Sequence, residues 1–220
     1  MAKTRAMNLR AQLDETIRRY DLLTHPFYQA WSKGELSRER LQRYAGQYYH
    51  HVLAFPTYVS AVHSRSEEDL VSRRALLENL IEEERGEHNH AALWLQFAAG
   101  IGAPANDVAA GSPESSTRTL IDTFRSLTRE ELPAGAAALY AYESQVPRVA
   151  AAKIEGLIKY FGVSDPKTLE FFSVHKELDR WHSDTTAEIV ERSAVEPEVA
   201  LKAAAEAAKA LWGFLDSMQN

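Results

Sequence analysis

The chain contains no cysteine among its 220 residues. Disulfide bonds, thiolate metal ligands and a cysteine nucleophile are therefore excluded, and any bound metal must be held by histidine and carboxylate side chains. The chain also has no excess of basic residues, since 31 acidic residues outnumber 25 basic ones and give a formal charge of −6. This balance argues against a nucleic-acid partner.

Long apolar runs are missing as well. No stretch approaches the roughly 20 apolar residues that a membrane-spanning helix needs, and the first residues lack the apolar core of a signal peptide. We therefore expect a cytoplasmic protein without a membrane partner. With 45% apolar residues, the composition is that of an ordinary globular chain.

The sequence shows no strand alternation. Apolar residues instead recur at helical spacing along nearly the whole chain, for example at Leu9, Leu13 and Ile17. This pattern predicts an all-α fold, a single domain over residues 1–220, built as a bundle of about seven helices. Residues 103–116 are the most loop-like segment, and we expect Gly86 and Pro147 to bend two of the longer helices.

One stretch combines two imidazoles with a carboxylate. His175, Asp179 and His182 stand at positions i, i+4 and i+7, so on a helix they lie along one face. Apolar neighbours suggest that this face turns inward, where three such groups are suited to a metal. The alternative is that both histidines are hydrogen-bonded core residues and that Asp179 is a partner of one of them.

Two other segments offer ligands to the same core. In the first, three carboxylate and imidazole pairings have suitable spacing: Glu83 with His90, Glu84 with His88, and Glu87 with His90. An acidic run of this kind is usually a solvated helix face. In the second, Glu143 is the lone carboxylate in an apolar helix, beside Tyr142. Burying a carboxylate there is costly unless it is paired or bound to metal.

These residues together resemble the haem-oxygenase-like di-metal oxidases, and among them the group of the chlamydial death-domain-associating protein and its bacterial relatives. The resemblance extends from Leu9 to about Glu191 and implies the haem-oxygenase-like fold that TenA and PqqC proteins share. It also implies six metal ligands, and its glutamate seven residues before a histidine selects Glu83 and His90. The residues that carry it are His25-Pro26-Phe27-Tyr28, Tyr44, Tyr48-Tyr49-His50, Glu83, His90, Trp94, Phe97, Tyr142-Glu143, Pro147, His175, Asp179 and His182.

Six such ligands have a definite chemistry. Three carboxylates and three imidazoles form an oxygen and nitrogen shell that suits iron or manganese. Two such ions can reduce O₂ and generate an oxidant, whereas zinc would instead support hydrolysis. The abundant tyrosines favour a redox centre. We therefore expect two metal ions, Fe/Fe or Mn/Fe, with O₂ as co-substrate and an external reductant.

The resemblance further implies a metal-dependent oxidoreductase that makes p-aminobenzoate for folate biosynthesis. The resemblance implies that the aromatic ring comes from a tyrosine of the protein itself, in a single turnover. By position that tyrosine is Tyr28, supported by Tyr44 and Tyr142, and the amino donor is Lys153. Without the resemblance, a lysine at this position would be expected to extend to the surface. On a helix it lies about 15 Å along the axis from Glu143, so it can approach the metals only if the bend at Pro147 or its own length brings it back.

Other functions are compatible with the same residues. A related oxidase could act on a free amino acid, amine or fatty acid, with Tyr28 as an ordinary pocket residue. A non-enzymatic protein-binding module is a second alternative. A TenA-like hydrolase is disfavoured because it needs a cysteine. We expect a homodimer by analogy.

Overall fold

The computed structural model describes residues 8–219, with no description of the side chains of residues 177–180. Within that range the fold is entirely helical, as expected. Eleven α-helices are connected by short turns and one 3₁₀ helix, Leu22–Thr24. The helices are α1 (Leu9–Arg18), α2 (Pro26–Lys33), α3 (Arg38–Ser64), α4 (Leu70–Glu84), α5 (His90–Gly100), α6 (Ala105–Ala110), α7 (Ser115–Leu127), α8 (Leu132–Glu143), α9 (Val146–Tyr160), α10 (Pro166–Ser193) and α11 (Pro197–Ser217).

The expected number of about seven helices is wrong, because three breaks or short helices were not recognised. Residues 103–116, expected to be a loop, contain α6. The two helices that were expected to bend are each interrupted. One is divided into α4 and α5, and the other into α8 and α9.

The break between α4 and α5 has a local cause at Gly86. Its φ of 84° lies in the left-handed region, which a glycine adopts without a steric penalty. The next helix then restarts with a side-chain cap, because Asn89 Oδ1 accepts a hydrogen bond from Ala92 N at 2.9 Å. The chain therefore turns between Glu83 and His90 instead of continuing as one helix.

The break between α8 and α9 follows from Pro147. Proline has no N–H for the helical ladder, and here it stands in the first turn of α9, where a missing donor is tolerated. As a result, Glu143 ends one helix while Lys153 lies on the next.

The core is rich in aromatic side chains. Helix α3 packs against α4, α5 and α7, and the almost fully buried α8 packs against α10 and α11. Helix α10 packs on α5, α8 and α9 and so closes the bundle around the polar residues described below. In the described part of the chain, no helix is both long and apolar enough to cross a membrane.

One buried residue of α3 is unusual. His51 is fully buried, and neither of its ring nitrogens has a hydrogen-bond partner within residues 8–219. Burial lowers the pKa of His51 to about 3, so the ring is neutral at ordinary pH. The rings that surround it are those of Tyr48, Phe55, Tyr58, Phe124 and Tyr142.

Candidate metal centre and tyrosine pocket

Three of the predicted ligands converge at the interface of α4, α5 and α10. Glu83, His90 and His175 are all buried, and one ligand atom from each lies within 4.8 Å of the others. Glu83 Oε2 is 2.7 Å from His90 Nδ1. The rings of His90 and His175 are 4.2 Å apart between centroids. Among the described side chains, this group is the best placed to hold a metal ion.

The orientation of His175 leaves one nitrogen available to this cluster. Its Nδ1 is 2.6 Å from the carbonyl oxygen of Phe171, which can only accept, so Nδ1 carries the proton. Nε2 then has a lone pair, as a metal ligand requires. Burial and the neighbouring His90 hold the pKa of His175 well below its usual value. The ring is therefore neutral and ready to coordinate.

Glu143 is buried at the end of α8, and both of its carboxylate oxygens are held. Asn79 Nδ2 donates to Oε1 at 2.9 Å, and Thr186 Oγ1 donates to Oε2 at 3.0 Å. Each oxygen still has lone pairs for a metal, because a carboxylate accepts about four interactions. The two donors therefore fix the orientation of the carboxylate without occupying it.

His182 is buried and faces α4. Its Nε2 lies 2.9 Å from Oε2 of Glu82, a residue that was not among the predicted ligands. Asp179, which was predicted to complete the set, lies outside the described side chains, although its backbone is part of α10. Five of the six predicted ligands are therefore described, and all five are buried.

The donor set fits a metal. In the described residues it consists of three imidazoles and three carboxylates, counting Glu82, and such a shell suits iron and manganese. In addition, Asn79 Oδ1 is a buried acceptor beside Glu143 with no hydrogen-bond partner within residues 8–219. Buried polar atoms are rarely left in this state, so a further group is expected at this position.

A second cluster contains the predicted tyrosines and lysine. Lys153 Nζ donates to Tyr44 Oη at 2.7 Å, and Tyr44 Oη lies 3.1 Å from Tyr28 Oη. All three side chains are buried. Lys153 is only 4% exposed, so it does not extend to the surface as its sequence position alone suggested. It lies 5.5 Å from the Tyr28 ring centroid.

The environment of Lys153 alters its proton affinity. Burial lowers the pKa of Lys153 from 10.5 to about 7, because the charged ammonium loses its hydration. The neutral amine is therefore much more populated at neutral pH than it is for an exposed lysine. Burial also raises the pKa of the Tyr28 hydroxyl, which keeps the phenol protonated.

Tyr142 is connected to this cluster through Tyr48, which carried the resemblance but was not assigned a role in the site. Tyr48 Oη donates to Tyr142 Oη at 3.1 Å, and the Tyr48 ring stacks on Tyr44 with centroids 5.3 Å apart. Because Tyr142 directly precedes Glu143, the tyrosine series extends from Tyr28 to the end of α8.

Aromatic rings also connect the cluster of tyrosines and Lys153 to the cluster of Glu83, His90 and His175. Trp94 lies 6.0 Å from Tyr44 and 4.8 Å from Phe171, measured between ring centroids. Phe171 stacks on His175 at 4.0 Å. The rings of Trp94 and Phe171 thus link the two buried clusters.

Sequence reasoning missed Asn79, Glu82 and Thr186. A signal was nonetheless present, since Asn79, Glu82 and Glu83 stand at i, i+3 and i+4 and so share one helix face. Thr186 likewise stands four residues after His182. An amide and a hydroxyl are common on any helix, however, and only the contacts reveal their role.

A helical bundle with buried histidines and carboxylates in its core has the side chains that metal-binding helical bundles use as ligands. Comparison with known families agrees. The sequence profile of a family described as iron-containing redox enzymes, with a haem-oxygenase-type fold, matches residues 42–214, and the chain belongs to this family.

Individual proteins are similar to this chain over nearly its whole length. A protein of Chlamydia muridarum named 4-aminobenzoate synthase is 45% identical over 214 residues, which covers 96% of this chain and 90% of the relative. A protein of the same name from Nitrosomonas europaea is 45% identical over 221 residues, covering 95% and 90%. Among solved structures, a TenA homologue from Pseudomonas syringae superposes with a TM-score of 0.80 at 18% identity, covering 96% of this chain and 90% of that one. This last likeness concerns the fold alone.

Proposed function

We propose that this protein is an O₂-activating oxidase with two metal ions that makes p-aminobenzoate from its own Tyr28. The observation that carries the proposal is the buried series from Lys153 through Tyr44 to Tyr28, with polar contacts of 2.7 and 3.1 Å. It brings an amine and a phenol together where water is excluded. The relatives named 4-aminobenzoate synthase support the same product.

The proposed ligands of the two ions are Glu83, His90, Glu143, His175, Asp179 and His182. Two irons, or one manganese and one iron, suit this ligand set. When bound, such a pair supplies multi-electron reduction of O₂ and an oxidant for C–H and O–H bonds, with electrons from an external reductant. Asn79 and Thr186 hold Glu143 in place for this role.

Lys153 is suited to donate nitrogen because its neutral form is populated at neutral pH. With a pKa of about 7 it keeps a lone pair on Nζ in a large fraction of the molecules. Tyr44 orients the reactants. Since it accepts a hydrogen bond from Lys153, its own hydroxyl proton remains to donate to Tyr28.

The chemistry of the product determines which bonds change. p-Aminobenzoate retains the six ring carbons and Cβ of a tyrosine side chain, so the Cα–Cβ bond of Tyr28 must break and Cβ must be oxidised to a carboxylate. Cα of residue 28 takes up hydrogen, so that glycine remains at this position, and the new carboxylate oxygens come from O₂ and water. The ring C–O bond is replaced by a C–N bond and the phenol oxygen leaves as water. The Cε–Nζ bond of Lys153 breaks, and Cε is oxidised to an aldehyde that takes its oxygen from water. O₂ accepts the electrons that are removed.

The test is a single-turnover experiment on the full chain, expressed with iron and manganese and exposed to O₂ and a reductant. We expect up to about one p-aminobenzoate per chain, a mass loss in the peptide containing Tyr28, and loss of the side-chain nitrogen from the peptide containing Lys153. Protein labelled with ¹⁵N in lysine should give ¹⁵N product. Tyr28→Phe should give none.

Tyr58→Phe is the matched control, since Tyr58 is equally buried but its hydroxyl faces the carbonyl of Ile121 instead of Lys153. This variant should form product normally. Several products per chain with an intact Tyr28 peptide would contradict the proposal and indicate a free substrate. Absence of bound metal in the active protein would contradict the two-metal centre.

A further inference from the structure

Glu82 lies at the solvent side of the proposed centre. It stands on α4 next to Glu83, and its side chain is 35% exposed, whereas its neighbour His182 is 1% exposed. The distance from Glu82 Oε2 to His182 Nε2 is 2.9 Å. The partly exposed side chain of Glu82 thus contacts the ring nitrogen of the buried His182.

This contact repeats the geometry of a neighbouring pair. Glu83 Oε2 and His90 Nδ1 are 2.7 Å apart, and both belong to the proposed ligand set. Metal bonds to imidazole nitrogen and carboxylate oxygen are about 2.1 Å long. Two ligands at right angles around one ion are then about 3 Å apart. Both pairs are spaced as cis ligands of an ion.

The face of α4 supports the same conclusion. Asn79, Glu82 and Glu83 stand at i, i+3 and i+4, and each contacts a different proposed ligand, namely Glu143, His182 and His90. The other glutamates of this region, Glu78 and Glu84, are exposed. Glu82 is therefore selected from the acidic run by its direction and not by charge alone.

We propose that Glu82 is a seventh ligand, bound to the same ion as His182 and located on the solvent side of the centre. This inference rests on the two-metal centre of the proposed function. It assigns to α4 one ligand for each ion, with Glu83 beside His90 and Glu82 beside His182. Of the two ions, the one bound by His182 and Glu82 is then the one that exchanges with solvent.

The experiment measures iron and manganese by elemental analysis in the purified full chain, together with metal release to a competing chelator. Glu82→Gln is the informative variant, because glutamine can still accept a hydrogen bond from His182 but no longer supplies an anionic ligand. We expect the wild type to hold about two ions and the variant to hold its second ion at least about tenfold more weakly. Glu78→Gln, an exposed change of the same charge one turn away, should behave as wild type.

A double variant determines whether both residues serve the same ion. If they do, Glu82→Gln combined with His182→Ala should lose no more metal than His182→Ala alone, since the two changes act on one ion. Loss of the remaining ion in the double variant would contradict the assignment. A melting curve recorded in excess chelator, unchanged by Glu82→Gln, would show that the variant is folded.

The outcomes separate this inference from the proposed function. If both wild type and Glu82→Gln hold two ions with equal affinity, Glu82 merely orients His182 and the inference is wrong, while the two-metal centre stands. If the wild type holds fewer than two ions, the two-metal centre fails, and the inference fails with it.

Discussion

Replacing Lys153 with methionine should make the protein more stable while ending the proposed reaction. The lowered pKa of Lys153 measures what it costs to bury the ammonium group. A change from 10.5 to about 7 corresponds to about 5 kcal/mol, since each tenfold change in proton affinity is worth about 1.36 kcal/mol. At pH 7, where half of the side chains are already neutral, about 4 kcal/mol remains.

The direction of the pH dependence follows from linkage. Between pH 7 and 10.5 the unfolded chain binds more protons at this lysine than the folded chain, so stability rises with pH across that window. The destabilisation is complete below pH 7 and disappears above 10.5. Lys153→Met should therefore flatten the stability profile above pH 7 and raise the free energy of unfolding at pH 7.

The gain should be smaller than the full 4 kcal/mol because Lys153 also makes favourable contacts. It donates to Tyr44 and lies over several aromatic faces, including that of Phe172 at 5.1 Å. We expect an increase of at least about 2 kcal/mol at pH 7. Methionine fills a similar volume and needs no polar partner.

The assay is urea unfolding between pH 6 and 9.5, with p-aminobenzoate yield measured on the same samples. Lys159→Met on the same helix is the control, since Lys159 is exposed and should change neither quantity. An unchanged or steeper pH profile in Lys153→Met would refute the reasoning, because it would mean that Lys153 is not buried as an amine with a lowered pKa.

Three further predictions concern other buried polar groups. Tyr44→Phe removes the acceptor of Lys153, so we expect a stability loss of about 1–3 kcal/mol in urea unfolding and a lower product yield. Thr186→Val removes a donor to Glu143 and should weaken metal affinity about 10- to 100-fold in chelator competition, with little change in the melting temperature of the chelated protein. His51→Leu should remove a buried group that lowers the stability of the fold in acid. The pKa of His51 falls from 6.5 to about 3 on folding, so protonation of the unfolded chain lowers the stability of the wild type as the pH drops below 6.5. At pH 5 this loss is about 2 kcal/mol, and the variant should resist unfolding at pH 5 more than the wild type does.

Each of these three predictions would be contradicted by a specific result. Equal urea midpoints for Tyr44→Phe and the wild type would show that Lys153 has another acceptor. Unaltered metal affinity in Thr186→Val would show that Glu143 needs no help in its orientation. A loss of stability at pH 5 in His51→Leu equal to that of the wild type would exclude His51 as the source of acid sensitivity.

The sequence was sufficient for the helical class because helical spacing of apolar residues is a local property. It could not predict the breaks, because a glycine within a helical pattern is compatible with either a bend or a turn. At Gly86 the positive φ decides between them. The helix count was therefore too low even though nearly every helical segment was recognised.

The pairing of Glu83 and His90 shows the limit of spacing arguments. On one continuous helix these residues would be about 10 Å apart along the axis and could not touch. They come within 2.7 Å only because the chain turns between them. The resemblance to a family therefore indicated a pair that is in contact in the structure, whereas the helical geometry alone gave no reason for the contact.

Lys153 illustrates the reverse case. Its length and its helical context argued for a surface position, but Lys153 is buried on α9, which begins as a separate helix with Pro147 in its first turn. Contacts between remote helices, such as that of Lys153 with Tyr44, depend on the packing of the whole bundle and have no local signal.

The position of Tyr28 on α2 has a consequence for the fate of the protein. This helix has only eight residues, and its main neighbours are α9 and the 3₁₀ helix at 22–24. Phe27 and Trp31 are both fully buried and would still anchor the helix if the Tyr28 side chain were consumed as proposed. A spent chain would then remain folded and avoid the degradation that follows unfolding. Spent and unspent chains would coexist in the cell, and their ratio would record how much product that protein population had released.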